Sequence, residues 1–127
     1  ESLAGLRVLL VDDMEDTRDG LAAVLQSLGA EVQTSDSARE GFKALADFEP
    51  HVLLCDIAMP DEDGYSLIRR IRALGPRQGG KIPAVALTAY AGAEHVRRAV
   101  EAKFDAHLAK PVDRASLSHV IAKLAKQ

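Results

Sequence analysis

Five polar residues in this chain are of types that do chemistry together: Asp12, Asp13, Asp56, Thr88 and Lys110. They follow short apolar runs: LRVLLV before Asp12-Asp13, VLLC before Asp56, PAVAL before Thr88 and AHLA before Lys110. Three ionised carboxylates within a few ångströms repel one another, so they either bind protons or recruit a cation. A hard divalent ion such as Mg2+ suits one or two carboxylates completed by waters and phosphate oxygens. It would let an anionic carboxylate approach an anionic phosphoryl group. With a lysine ammonium and a threonine hydroxyl for the phosphoryl oxygens, the set amounts to a phosphoryl-transfer site with Asp56 as nucleophile. That chemistry requires a fold that brings these distant residues to one rim.

The elements that must do so alternate. Val52 to Cys55 suits a strand buried on both faces of a parallel sheet, and Met59 to Gly64 reads as a loop leading into a helix. Leu6 to Val11 reads as the first strand, and Met14, Leu21, Val24, Leu25 and Leu28 then recur at helical spacing until Gly29. Glu31 to Thr34 alternates as an edge strand does. Ala38, Phe42, Leu45 and Phe48 form a helical stripe that Pro50 stops. Tyr65, Ile68, Ile71 and Leu74 mark a third helix with arginines on its outer face, and Gly75 to Gly80 reads as flexible. Pro83 to Leu87 is a fourth strand, followed by a weaker helix around Val96, Ala99 and Val100. Ala106 to Ala109 is a fifth strand, and Leu117, Val120, Ile121 and Leu124 belong to a last amphipathic helix.

Strand then helix, five times over with short loops, predicts an α/β fold with a parallel sheet and helices on both faces. Right-handed crossovers leave few layouts. The flavodoxin-like, doubly wound (βα)5 order 2-1-3-4-5 sets the ends of strands one and three side by side at the switch point. Asp12, Asp13 and Asp56 then converge, with Thr88 and Lys110 on the same rim. The expectation is one domain over 1–127, its core spanning about 6–124.

Composition narrows the functions. With 127 residues, 47% hydrophobic and 28% charged, the chain fits one globular domain. Lys plus Arg is 16 against 19 for Asp plus Glu, which gives no support to direct nucleic-acid binding. The single Cys excludes an internal disulfide and fits a reducing compartment; Cys55 reads as a buried core residue rather than a reactive thiol. No apolar run approaches the roughly 20 residues that span a bilayer, and no signal-peptide pattern is present, so no membrane insertion is expected. The missing initiator Met fits a piece of a longer chain.

Val11-Asp12-Asp13, Asp56 with Met59-Pro60 and Asp63-Gly64, Leu87-Thr88-Ala89 and Lys110-Pro111, in this order, resemble the receiver domain of bacterial two-component response regulators. The resemblance runs from Leu6 to about Leu124. It implies that Asp56 is the phospho-acceptor, taking a phosphoryl group from a phosphohistidine on a histidine kinase or a histidine phosphotransfer domain. It implies a Mg2+ cofactor, with Mn2+ able to substitute. Asp13 is then the direct metal carboxylate, Asp12 acts mostly through water, and the backbone carbonyl of Ala58 is a further ligand beside Asp56. Thr88 and Lys110 match the residues that contact phosphoryl oxygens, and Lys110-Pro111 matches a peptide bond usually cis in the family. Such a domain is not an enzyme beyond its own phosphorylation and dephosphorylation.

The resemblance also implies a switch. Phosphorylation draws Thr88 toward the phosphate, an aromatic on the fifth strand turns inward, and the surface of the fourth helix, fifth strand and fifth helix changes. The position here is His107, where Tyr or Phe is commoner; a smaller, polar imidazole predicts a weakened, altered or pH-sensitive switch. Ala58 and Tyr90 occupy the positions that tune dephosphorylation. Ala58 cannot orient an attacking water and Tyr90 can screen the phosphoryl group, so slow self-hydrolysis is expected. Residues 87–91 and 104–113 look most like receivers fused to hybrid histidine kinases. The expected location is cytoplasmic, either free or as the cytoplasmic part of a membrane-bound sensor kinase, and a fused output or kinase domain is a candidate partner.

Plainer readings compete. Asp12-Asp13 could simply cap the first helix, Thr88 could be an ordinary β-branched strand residue, and Lys110 a solvated lysine. His51, His95, His107 and His119 lack zinc spacing and read as structural or surface residues. Arg97-Arg98 reads as a solvated helix face. Among other functions, a flavin binder would want a phosphate-cradling Ser/Thr/Gly loop where Asp12-Asp13 stands. An aspartyl-phosphate hydrolase would need Asp-x-Asp on the first strand and a cap. A degenerate receiver that only binds partners is the rival from another class.

Overall fold

Strand β3 (Val52–Asp56) occupies the centre of the sheet, and all five of its residues are buried. The structure, a computed structural model, describes residues 1–89 and 92–126. Around β3 lie β1 (Arg7–Val11), β2 (Glu31–Ser35), β4 (Ala84–Thr88) and β5 (Ala106–Ala109). They are joined by α1 (Glu15–Ser27), α2 (Ala38–Phe48), α3 (Gly64–Arg72), α4 (Ala93–Glu101) and α5 (Arg114–Ala125). The sheet order is β2-β1-β3-β4-β5 with every pair parallel, the expected flavodoxin-like arrangement.

Strand alternation divides the core in two. Leu9, Val11, Leu53, Cys55, Ala84 and Ala86 face α2, α3 and α4, while Val8, Leu10, Val52, Leu54, Val85 and Leu87 face α1 and α5. Burying leucines such as Leu53 and Leu54 contributes roughly 2 kcal/mol each, which holds the strand end at Asp56 in place. Cys55 is fully buried, as expected of a core residue.

Several local expectations are corrected. Met14 does not belong to the helical stripe: it is the N-cap of α1 and 58% exposed. Val100 stands out from α4 at 62% exposed, so of the three apolar positions read there Val96 and Ala99 face inward and Val100 does not. The 75–80 connection is not loose. It folds into a 3-10 turn at Pro76–Gln78, with the Gly75 amide donating to Gln78 Oε1 at 3.2 Å.

The arginines of α3 are not merely a solvated face. Arg72 donates to the carbonyls of Gly80 (3.1 Å), Ile82 (2.6 Å) and Lys103 (3.0 Å) and to Asp105 Oδ2 (3.0 Å). Asp105 Oδ2 also accepts the Ala84 amide at 2.8 Å, so this guanidinium ties α3 to the segments entering β4 and β5. Arg97 and Arg98 are exposed, as a solvated helix face requires, and the Arg98 guanidinium also lies 4.3 Å over the Tyr65 ring. Among the described residues, no helix is long and apolar enough to cross a membrane.

Candidate functional site

The C-terminal ends of β1 and β3 are neighbours, Val11 pairing with Cys55, so the residues that follow them meet. Asp12, Asp13 and Asp56 each offer a carboxylate oxygen, and these oxygens lie within 4.8 Å of one another. Asp12 and Asp56 are buried and Asp13 is half-buried. Low exposure strengthens every charge interaction at this rim relative to water.

The three carboxylates are not equivalent. Asp12 Oδ1 accepts the Met14 amide at 2.9 Å, and its Oδ2 lies 3.1 Å from Lys110 Nζ. Asp12 is therefore not the helix cap of the plain reading: Met14 is the N-cap of α1, without a side-chain cap bond, and the Asp12 oxygen closes an Asx turn onto the Met14 amide ahead of the helix. Arg18 donates to the Asp12 carbonyl at 3.0 Å and steadies the loop. Asp56 Oδ1 lies 3.3 Å from Lys110 Nζ. Asp13 Oδ1 is the one buried side-chain oxygen among the described residues with no hydrogen-bond partner. A buried, unpartnered carboxylate oxygen beside two other acids is suited to ligate a cation. The donor set fits Mg2+.

Electrostatics of Asp56 follow from this crowding. Burial raises its carboxyl most, Lys110 pulls it down and Asp12 and Asp13 push it up again, leaving it at about 6. Burial also pushes the Cys55 thiol well up, in keeping with an inert core sulfur.

Thr88 and Lys110 arrive from the neighbouring strands. Thr88 ends β4 and is buried, and its carbonyl accepts the Lys110 amide at 2.8 Å. The Lys110-Pro111 peptide bond is cis, as expected. Lys110 is therefore not a solvated surface lysine. Ala58 lies two residues beyond Asp56 in the β3–α3 loop, its side chain exposed. His107 pairs with Ala86 in register, which places it on the α4 side of β5, half-buried. Tyr90 falls outside the described residues.

Residues 8–122 match the family model of the response regulator receiver domain. The chain belongs to the receiver domain family of two-component systems. This receiver domain is 40% identical over 121 residues to an uncharacterised 14.6 kDa protein of Leptolyngbya boryana, covering 95% of this chain and 91% of that one. It is 34% identical to part of hybrid signal transduction histidine kinase D of Dictyostelium discoideum, covering 96% of this chain but only 8% of the kinase. Among solved structures it resembles the receiver domain of sensor histidine kinase PA1611 from Pseudomonas aeruginosa, which holds a magnesium ion in its active site cleft. That likeness has a TM-score of 0.88 at 31% identity and covers 98% of this chain and all (100%) of the other.

Some contacts beside the site were not legible as such in the sequence. Gly64 reads there as turn chemistry, yet its role is close approach: a Cβ would lie 2.5 Å from the Asp56 carbonyl oxygen. Glu62 and Arg70 lie eight residues apart across a loop and a helix, and helical spacing does not pair them.

Proposed function

We propose that this receiver domain accepts a phosphoryl group on Asp56 from a phosphohistidine of a histidine kinase or histidine phosphotransfer domain. One observation carries the reading: Lys110 Nζ bridges Asp12 at 3.1 Å and Asp56 at 3.3 Å, beside the unpartnered buried oxygen of Asp13. An Asp56 oxygen attacks phosphorus, the phosphorus–nitrogen bond breaks, and its electron pair returns to the imidazole, which is protonated from solvent. Asp56 must be ionised to attack, and the Lys110 ammonium favours that form. Lys110 and the Thr88 hydroxyl then serve the phosphoryl oxygens.

When bound, Mg2+ (or Mn2+ in its place) would offset the phosphoryl charge so that two anions can meet. Asp13 and Asp56 would hold it with the Ala58 carbonyl. Asp12, with one oxygen on the Met14 amide and the other on Lys110, suits an indirect role through water.

The signal follows from the same rim. Thr88 moves toward the phosphoryl group, His107 takes the vacated space, and the surface of α4, β5 and α5 changes for a partner. The imidazole is small and polar, which makes this switch weaker than one with Tyr or Phe. Ala58 offers no group to orient an attacking water, so the phosphoryl group on Asp56 is long-lived. The likeness to kinase-borne receivers supports a cytoplasmic domain, free or fused to a kinase or output domain, with no membrane insertion and no nucleic-acid contact of its own.

Beryllofluoride, a mimic of the phosphoryl group, tests the site directly. Wild type should bind it only with Mg2+, and Asp56→Asn should not. Absence of binding in wild type would leave a degenerate receiver that acts only through protein contacts, and repeated release of phosphate from small phosphate esters would point to a hydrolase.

A further inference from the structure

The β3–α3 loop, residues 57–63, carries Ala58 at one end and is anchored at the other. The Gly64 amide donates to the Ile57 carbonyl at 2.9 Å, and Asp63 Oδ1 caps α3 by accepting the Ser66 amide at 2.9 Å. Between them Asp61 takes a left-handed conformation (φ 69°), which Asp adopts more readily than most non-glycine residues and which turns the chain toward Glu62. A restraint lies next to it. Glu62 receives a two-pronged contact from Arg70, Nε to Oε2 and Nη2 to Oε1, both at 2.7 Å, and Ser66 Oγ adds a third at 2.8 Å. The Arg70 guanidinium in turn lies 4.2 Å over the ring of Phe42 on α2, which packs against the core.

We propose that Arg70, braced on Phe42, is a positioning residue that holds the loop through Glu62 so that the Ala58 carbonyl is set for Mg2+ before the ion arrives. This rests on the reading of the acidic rim as a Mg2+ site. A single exposed ion pair contributes little because solvent screens it and both side chains lose freedom. Here one carboxylate is satisfied three times, a planar fork matches it on both oxygens, and the fork is stacked on an aromatic face. Lysine could supply the charge but neither the fork nor the stacking.

The test is Mg2+ titration by calorimetry on wild type, Arg70→Lys, the double variant Glu62→Gln/Arg70→Gln, and Asp13→Asn as the control that removes a metal carboxylate. The double variant keeps the net charge, so a change in it reads loop geometry rather than long-range charge. We expect it to bind Mg2+ roughly three- to tenfold more weakly, with Arg70→Lys in between, as for other groups that orient metal ligands. Amide hydrogen exchange in the metal-free proteins should quicken at residues 59–63 in both variants while the melting temperature stays near wild type. Wild-type Mg2+ affinity in the double variant, or full rescue by lysine, would overturn the brace while leaving the metal site standing. If wild type binds Mg2+ no better than Asp13→Asn, the site reading itself fails and the brace falls with it.

Discussion

Lys110 Nζ lies 3.3 Å from Oδ1 of Asp56, reaching it from the end of the edge strand β5 across the end of β4. The ammonium is shared with Asp12 and offsets part of the charge that burial would otherwise make costly. Lys110→Ala should slow phosphorylation of Asp56 by a small-molecule phosphodonor on the order of 100-fold, the scale for losing one preorganised charge partner. Mg2+ binding should survive. Rates read by radiolabel incorporation at saturating Mg2+ would check both points.

Asp56 also predicts how stability depends on pH. Its carboxyl titrates near 6 in the folded protein against an ordinary 3.8, so the folded state binds that proton more tightly than the unfolded chain. The stability tied to this proton is fully present below about pH 4 and is lost as pH rises through about 6. Asp56→Asn removes the ionisation and should make the metal-free protein more stable than wild type at pH 7.5 by up to about 3 kcal/mol, with the gap closing below pH 4. Urea denaturation across that range, with a chelator present, gives the comparison. Equal stability at pH 7.5 would contradict the buried-charge account.

Asp13 makes the complementary prediction. Its Oδ1 is buried without a partner, so replacing it should not harm the metal-free fold. Asp13→Asn should weaken Mg2+ binding by about tenfold or more while leaving metal-free melting unchanged or raised, since a repelling charge is gone. Adding Mg2+ to wild type should raise its melting temperature, and a chelator should reverse that.

Gly64 tests the packing behind the site. A methyl group there would lie 2.5 Å from the Asp56 carbonyl oxygen and 3.0 Å from the Ile57 Cα, both backbone atoms with little room to yield. Gly64→Ala should cost about 1–3 kcal/mol of stability and slow phosphorylation, because the atoms displaced carry Asp56, the proposed acceptor. Denaturation and phosphorylation rates measured together would reveal whether both move.

The lifetime proposed for the phosphorylated state can be tested at Ala58. Its methyl side chain cannot hydrogen-bond a water, so Ala58→Asn should speed loss of the phosphoryl group by roughly tenfold or more. Decay followed after removal of the phosphodonor is the readout, and equal half-lives would refute this role.

Much of this was legible in the residues themselves. Apolar runs ending at Asp12, Asp56 and Thr88 specify buried parallel strands with polar tips, because burial on both faces excludes polar residues until the chain leaves the sheet, while the shorter run before Lys110, with His107 in it, is the half-buried edge. Right-handed crossovers then restrict the layout, so the rim itself could be foreseen, down to Ala106–Ala109 as β5. What local pattern could not supply is the partner of each side chain. A stripe repeating every three or four residues says that a helix has an apolar face but not where that face ends, so Met14 and Val100 look like core residues until the fold leaves them in solvent. Only the packed molecule decides that Lys110 lies between Asp12 and Asp56, that Oδ1 of Asp13 is buried without a hydrogen-bond partner, that Arg72 ties three segments and that Arg70 reaches both Glu62 and Phe42. Each of those contacts joins elements set by the distances between packed layers, and those distances come from the whole core rather than from any short stretch of chain.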